Sequence, residues 1–168
     1  MRIGIFYGST TGNTAAAARR LAELLSTARL YPVAQANRPD FESCDLLILG
    51  TSSWCDEGDR LQDDWNDSLE CLRDADLRGK KVALYGFGDQ AGYPAAFVDA
   101  IRILHDVAVT AGAAIIGLWP DQGYDYSAST AVAGDVFLGL ALDAENQPEL
   151  TDERLVAWAA QLEQEAGL

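Results

Sequence analysis

The stretch Ser9–Thr14 reads Ser-Thr-Thr-Gly-Asn-Thr and lies between an apolar run, Ile3–Tyr7, and a helix-like segment, Ala15–Ala28. This position predicts a turn between a first strand and a first helix. The turn is rich in hydroxyl groups and carries no charge. Because the N-terminus of a helix offers unpaired N–H groups and a favourable dipole, such a turn suits a phosphate group. A turn that only caps the helix is the alternative.

Apolar runs typical of strands alternate with helical patterns along the rest of the chain. Strands are predicted over Ile3–Tyr7, Leu30–Ala34, Leu46–Leu49, Val82–Tyr85 and Ala114–Leu118, and helices over Ala15–Ala28, Leu61–Arg73, Ala95–Ala111 and Asp152–Glu165. This alternation predicts an α/β fold with a doubly wound, five-stranded parallel sheet between two layers of helices. Pro32 favours an edge position for the second strand, which agrees with the strand order 2-1-3-4-5. We expect residues 1–168 to form a single domain.

The segment Pro120–Leu150 is longer than a doubly wound fold needs between its last strand and its last helix. It contains a second strand-like run, Val136–Leu142. We therefore predict that strand five is interrupted by an inserted loop, Asp121–Asp135, and then resumes. Thr151 is predicted to cap the final helix.

The composition is strongly acidic, with 12 basic against 26 acidic residues and a net charge of −14. Neither nucleic acid nor an anionic membrane surface is therefore expected as a partner. Carboxylates cluster between Asp56 and Asp76, and although such surfaces usually only aid solubility, they favour a partner with a basic face. No apolar run reaches the ~20 residues of a membrane helix, and the N-terminus does not resemble a signal peptide. We expect a cytoplasmic monomer.

Cysteine and histidine residues give no sign of a metal centre or a disulfide framework. Cys44, Cys55 and Cys71 lack a Cys-x-x-Cys spacing, and His105 is the only histidine. No metal ligand and no catalytic residue is predicted from them.

Two further loops are expected beside the first turn, because ligands of doubly wound sheets bind at the carboxyl ends of the strands where the strand order reverses. They are Thr51–Asp59 after strand three and Gly86–Tyr93 after strand four. Each contains a large aromatic ring, Trp54 or Tyr93. A single ring of this kind is more often part of the protein's packing than of a ligand site. Together the two rings could sandwich a flat heteroaromatic group. A flat ring system with one terminal phosphate indicates FMN.

Four segments resemble the flavodoxins of the long-chain type. Residues 9–14 are similar to the family's phosphate loop, Thr/Ser-x-Thr-Gly-x-Thr, and residues 86–93 to its Gly-x-Gly-Asp-Gln-x-Gly-Tyr loop. Residues 119–126 resemble the long-chain insertion, and residues 139–143, together with 146–147 and 151–154, resemble the family's C-terminal stretch. The middle loop departs from the family pattern Thr-Pro-Thr-Trp-x-x-Gly-Glu-Leu-Gln. It has Ser52 and Ser53 before Trp54, three residues between Trp54 and Gly58, and an extra Arg60 before Leu61-Gln62.

The resemblance implies a low-potential one-electron carrier that uses bound FMN. It implies a flavin or iron–sulfur reductase with a basic face as the electron donor and a redox enzyme as the acceptor. Trp54 would cover the inner face of the flavin and Tyr93 the outer face, and Glu145 would approach the ribityl chain or the ring edge. The FMN-binding residues expected are Ser9, Thr10, Thr11, Gly12, Asn13, Thr14, Thr51, Ser52, Ser53, Trp54, Cys55, Gly58, Phe87, Gly88, Asp89, Tyr93 and Glu145.

Two other functions are compatible with the same fold. An FMN-dependent NAD(P)H:quinone reductase would need room for a nicotinamide on the flavin, and a Tyr93 ring over that face argues against it. A regulatory or binding module without flavin is the second alternative, and the altered middle loop is the reason to consider it.

Overall fold

The computed structural model describes residues 1–53 and 61–168, and five main strands of its central sheet lie side by side in the order second, first, third, fourth and fifth along the chain. These strands are β1 (Ile3–Tyr7), β2 (Ala28–Pro32), β3 (Leu46–Ser52), β4 (Lys81–Phe87) and β5 (Ala114–Ile115). All neighbouring pairs are parallel, so the predicted order 2-1-3-4-5 is confirmed. Pro32 lies in the edge strand β2, where a missing N–H interrupts no ladder to a further strand.

Helices cover both faces of this sheet. They are α1 (Asn13–Leu24), α2 (Arg38–Ser43), α3 (Asp63–Arg73), α4 (Ala100–Thr110) and α5 (Thr151–Ala166). One apolar layer packs α1 and α5 against the sheet around the fully buried Trp158, and the other packs α3 and α4 around the fully buried Trp65. The strands β3 and β4 are buried along nearly their whole length because both of their faces are covered. The doubly wound architecture is therefore confirmed.

Strand five is divided into two parts that pair with different ends of β4. The first part, β5, pairs with the beginning of β4, and the second, β9 (Leu140–Leu142), pairs with its end. Gly117 turns the chain out of the sheet with φ +75°, its carbonyl accepting from Trp158 Nε1 (2.8 Å) and its N–H donating to Glu165 (2.6 Å). The predicted interruption is confirmed.

The limits of the interruption differ from those expected. The segment between β5 and β9 forms its own three-stranded antiparallel sheet of β6 (Trp119–Pro120), β7 (Val132–Ala133) and β8 (Val136–Phe137). Val136 and Phe137 pair with these inserted strands, so strand five resumes at Leu140 rather than at Val136. The hydrophobic periodicity could not separate the last inserted strand, β8, from the resumed strand five, β9, because both belong to adjacent apolar runs.

Other boundaries move where local hydrogen bonds override the pattern. β2 begins at Ala28, earlier than expected, and it ends at Pro32 because Val33–Gln35 form a 3-10 turn. The helix α2 was not predicted, and Asn37 caps it in a capping box with Asp40. Thr151 is already helical, so the prediction that it caps α5 is wrong. The 3-10 turn Pro148–Leu150 leads directly into the helix instead.

The fourth helix begins later than its apolar pattern suggested, at Ala100 rather than at Ala95. The N–H of Ala100 donates to Ser53 Oγ (2.9 Å), which provides a partner for one N–H at the start of this helix. Within the described residues, none of the helices has the length and apolar character needed to cross a membrane.

Candidate ligand site at the carboxyl edge of the sheet

The turn after β1 gathers N–H groups around a hydroxyl oxygen. Ser9 Oγ accepts from the N–H of Gly12 (3.2 Å) and from the N–H of Ala15 (3.3 Å). Gly12 adopts φ +96°, which a residue with a side chain reaches only with strain, and the space where a Cβ would stand is open. Thr10, Thr11 and Gly12 are exposed, so the turn is accessible to a ligand.

The first turn of α1 adds donors to this ring. Within residues 1–53 and 61–168, the N–H groups of Asn13 and Thr14 have no protein acceptor. The nearest cations along α1 are Arg19 and Arg20, which lie more than a helical turn beyond Thr14, and the Arg20 guanidinium is already paired with Asp152 (2.7 Å) and Glu23 (3.2 Å). A phosphate would therefore be held here by hydrogen bonds and the helix dipole rather than by a positive side chain.

Gln62 supports this turn from the start of α3. Its Nε2 donates to Thr10 Oγ1 (3.2 Å), while its Oε1 accepts from the N–H of Asp64 (3.0 Å) and so caps the helix. Because the Thr10 hydroxyl accepts this bond, its own hydrogen is left to donate to a ligand. A Cβ on Gly8 would come within 2.0 Å of Gln62 Oε1, so glycine allows this close approach. Sequence reasoning missed the role of Gln62, although Leu61-Gln62 match the end of the family's middle-loop pattern, because that match does not show which group the side chain meets.

The end of β3 is tied to its neighbours through the backbone and through Ser53. Thr51, Ser52 and Ser53 are buried. The N–H of Ser53 donates to the carbonyl of Phe87 (2.8 Å), and its hydroxyl is occupied by the N–H of Ala100. The predicted contacts of Trp54, Cys55 and Gly58 lie outside the described residues.

The loop after β4 is organised by a single carboxylate, that of Asp89. Asp89 Oδ1 accepts from the N–H groups of Ala91 (3.1 Å) and Gly92 (2.7 Å), and its carbonyl accepts from the N–H of Tyr93 (2.8 Å). The hydrogen bond from the N–H of Gly92, followed by those from the side-chain amide of Asn146 and the N–H of Ala91, lowers the pKa of the Asp89 carboxyl. The half-buried Tyr93 ring is thereby carried on an ordered turn.

Asp143 anchors this loop from the end of β9. Its carboxylate is completely buried, and Oδ2 accepts from Gln90 N–H (3.0 Å), Gln90 Nε2 (2.8 Å) and Asn146 Nδ2 (2.9 Å). Oδ1 accepts from the N–H groups of Glu145 (3.0 Å) and Asn146 (2.9 Å). We call Asp89, Gln90, Asp143 and Asn146 the Asp143 network. Sequence reasoning assigned only Asp89 to the site, because the resemblance of the segments 86–93 and 139–143 to the family gave Gln90 and Asp143 no role.

The predicted site residues that the structure describes lie along one edge of the sheet. Backbone bonds join neighbouring strand ends across it: Gly8 N–H to the Gly50 carbonyl (3.2 Å) and Gly88 N–H to the Leu142 carbonyl (2.9 Å). The turn 9–14, the segment 51–53, the loop 87–93 and Glu145 follow these strand ends in order across the sheet. Direct contacts of these residues with FMN stay predictions. In the described part of the chain, no group of three or more His, Cys, Asp or Glu side chains could hold a metal ion.

Known proteins match this chain over almost its full length. The family model described as Flavodoxin matches residues 5–158. The flavodoxin of Klebsiella pneumoniae is 41% identical over 99% of this chain and 95% of its own length, and that of Synechococcus elongatus is 40% identical over 99% of both. The crystal structure of Fusobacterium nucleatum flavodoxin bound to flavin mononucleotide superposes with a TM-score of 0.91 at 31% identity over 98% of both chains. This fold, this edge of loops and these relatives together show that the chain belongs to the flavodoxin family.

Proposed function

We propose that this chain is a one-electron carrier of low potential that binds FMN at the carboxyl edge of its sheet. The observation that carries the proposal is the uncharged ring of donors at 9–14, which stands on the same edge as the ordered Tyr93 loop. FMN supplies the redox chemistry, and the chain supplies binding and orientation. Flavodoxin relatives at about 40% identity and the FMN-bound Fusobacterium nucleatum flavodoxin support this function.

The phosphate end of FMN would be held by the turn after β1. Hydroxyl groups of Ser9, Thr10, Thr11 and Thr14 would donate to it together with the N–H groups at the start of α1. Asn13 lies at that start, and Gly12 leaves the approach open. Several simultaneous hydrogen bonds to a charged group explain how a turn without a cation could bind tightly.

The ring end of FMN would lie between Trp54 and Tyr93. Backbone groups around the ends of β3 and β4 would meet the ring edges, and Glu145 would approach the ribityl chain or the ring edge. The residues proposed for this end are Thr51, Ser52, Ser53, Trp54, Cys55, Gly58, Phe87, Gly88, Asp89, Tyr93 and Glu145. The ordered turn that carries Tyr93 supports a fixed aromatic cover over the flavin.

The inserted sheet supports assignment to the long-chain type. β6, β7 and β8 interrupt strand five as one antiparallel unit of 116–139 with its own pairing. We further propose that residues 1–168 act as one FMN-binding domain in a cytoplasmic monomer. The protein would be the substrate of redox enzymes rather than an enzyme itself, so the purified protein should not oxidise NADPH on its own.

A comparison of two ligands tests the cofactor. The purified protein should be yellow and should bind FMN about 100-fold more tightly than riboflavin, since several charge-assisted hydrogen bonds reach only the phosphate. Absorption spectra and fluorescence titrations measure both quantities. Equal affinity for the two ligands would contradict the phosphate assignment. A colourless protein that does not take up FMN would instead support the flavin-free module.

The electron donor is proposed to be a flavin or iron–sulfur reductase with a basic face, and a redox enzyme is the proposed acceptor. Asp63 and Asp67 are exposed on α3, which begins beside the proposed site at Gln62. Carboxylates in this position would steer a basic surface towards the flavin edge.

A charge-matched pair of variants tests this docking face. Neutralising Asp63 and Asp67 to asparagine should lower the association rate with such a reductase roughly fivefold at low ionic strength and less at high ionic strength. The control replaces the exposed Glu153 and Glu163 of α5 by glutamine, which changes the net charge equally. Equal slowing in both variants would point to net charge alone and would contradict a specific face.

A further inference from the structure

We infer that the Asp143 network is a positioning device that holds the Tyr93 loop, residues 88–93, in its ligand-ready shape before a flavin enters. The inference rests on the proposed function for the identity of the ligand. Its physical basis is the pattern of hydrogen bonds in the described residues.

The Asp143 carboxylate is buried at the centre of the network. Its side chain has no exposed surface, and no lysine, arginine or histidine forms a salt bridge with it within residues 1–53 and 61–168. A buried carboxylate is tolerated only when hydrogen bonds replace its hydration. Five N–H donors do so here, and two of them belong to Gln90. Displacing the Tyr93 loop would therefore leave a buried charge partly unsatisfied.

Asn146 connects this carboxylate to the turn that carries Tyr93. Its Nδ2 donates to Asp143 Oδ2 (2.9 Å) and to Asp89 Oδ1 (2.8 Å), so both amide hydrogens are used. Asp89 Oδ1 in turn accepts from the N–H groups that precede Tyr93. Asn146 thus acts on Tyr93 through Asp89.

Gln90 extends the device into the inserted sheet. Its side chain is 4% exposed, and its Oε1 accepts from the N–H of Asp125 (2.5 Å) while its Nε2 donates to Asp143. The loop, the end of β9 and the insertion are therefore joined through one amide group. The insertion is hydrogen-bonded to the Tyr93 loop through Asp125 and Gln90 and so helps to hold it in place.

A preorganised Tyr93 loop should raise the affinity for the ring half of the flavin. A loop that is already ordered loses less conformational freedom when it binds. Within residues 1–53 and 61–168, the phosphate turn is hydrogen-bonded to Gln62, to the Tyr85 hydroxyl and to its own segment, and it forms no hydrogen bond with the Asp143 network. Loosening the network should therefore lower the affinity for FMN and the affinity for riboflavin by the same factor.

The test uses Asn146→Ala, because Asn146 is exposed and its removal creates no cavity. The matched control is Asn37→Ala, which also removes an exposed asparagine with a defined hydrogen-bonding role, the cap of α2. Asn146→Ala should weaken the binding of both FMN and riboflavin about fivefold. In the flavin-free protein it should also speed hydrogen exchange at the backbone amides of Gln90 and Gly92 at least about fivefold. Asn37→Ala should change none of these quantities.

Three outcomes would overturn the inference. They are unchanged affinities and exchange rates in Asn146→Ala, a loss confined to FMN, and an equal loss in Asn37→Ala. If the unaltered protein binds neither flavin, the proposed function fails. The exchange measurement on the flavin-free protein still decides whether the network orders the loop.

Discussion

The turn at 9–14 and the loop at 88–93 border the same edge of the sheet but are held in different ways. Ser9 Oγ binds N–H groups three and six residues further along, so the phosphate turn is built mainly from its own residues. The Tyr93 loop depends on Asp143, which is 53 residues from Gln90 in the sequence. The phosphate turn is therefore shaped mostly by neighbouring residues, with Gln62 and Tyr85 as distant partners, whereas the Tyr93 loop also needs the end of β9 beside it. A substitution that impairs one half of the site should consequently leave the other half largely intact.

The largest effect is expected from Asp143→Asn. An amide at this position turns one acceptor oxygen into an NH₂ group that faces N–H donors, so at least two bonds are lost inside the protein. We expect the flavin-free protein to lose about 3 kcal/mol of unfolding free energy, measured by urea denaturation. The control is Asp135→Asn, an exposed aspartate in the inserted turn. A loss below about 1 kcal/mol would show that the buried charge is not what holds the loop.

Gly12→Ala should affect the other half of the site. The left-handed backbone at φ +96° costs a residue with a side chain about 1–2 kcal/mol, so the flavin-free turn of the variant should relax away from this shape. FMN must then restore the shape and should bind roughly tenfold more weakly, while riboflavin should bind about as well as before. Gly79→Ala is the control, since Gly79 has φ +75° and an equally open Cβ position in a different turn. Both variants should be destabilised to a similar extent. If Gly79→Ala weakened FMN as much, the effect of Gly12→Ala would be one of stability and not of the phosphate turn.

A smaller effect is expected from Gln62→Glu. A carboxylate can still accept from the N–H of Asp64 and cap α3, but it cannot donate to Thr10 and it adds a negative charge beside the phosphate turn. FMN affinity should fall about fivefold, and riboflavin affinity should change less. Gln164→Glu adds the same charge at an exposed position near the end of α5 and serves as the control. Equal losses for FMN and riboflavin would assign Gln62 to the ring half instead.

The smallest effect concerns pH. The folded protein lowers the pKa of Asp89 below the ordinary aspartate value of about 3.9, so its stabilisation is present above that value and is lost as the pH falls through the lower folded value. Riboflavin affinity should therefore stay constant from neutral pH down to about pH 4 and fall below it.

Asp89→Asn isolates the contribution of Asp89 from those of the other carboxyl groups near the loop, Asp125, Asp143 and Glu145. The amide oxygen can keep the bonds to Ala91 and Gly92, so affinity at neutral pH should stay within about twofold of the original. The acid-induced loss should be smaller than in the unaltered protein. An unchanged pH profile would mean that another carboxyl group controls the loop.

The sequence alone determined the sheet order and the identity of the edge loops. Alternating strand and helix patterns predicted a doubly wound sheet, and Pro32 correctly indicated its edge strand. The turn at 9–14 was predictable because hydroxyl side chains and one glycine act on backbone groups only a few residues away. The insertion was visible as excess length, although its limits were not, because β8 and β9 have the same apolar character.

Only the tertiary structure decided how the edge loops are supported. Asp143, Gln62 and the kink at Gly117 depend on partners from distant segments: the loop after β4, the turn after β1 and the helix α5. A polar residue in a sequence shows its chemical capacity but not which donors the fold brings to it. In this protein a buried carboxylate without a resolved cation partner became the anchor of the Tyr93 loop because the fold brings five N–H groups to it, two from the loop after β4 and three from the turn after β9.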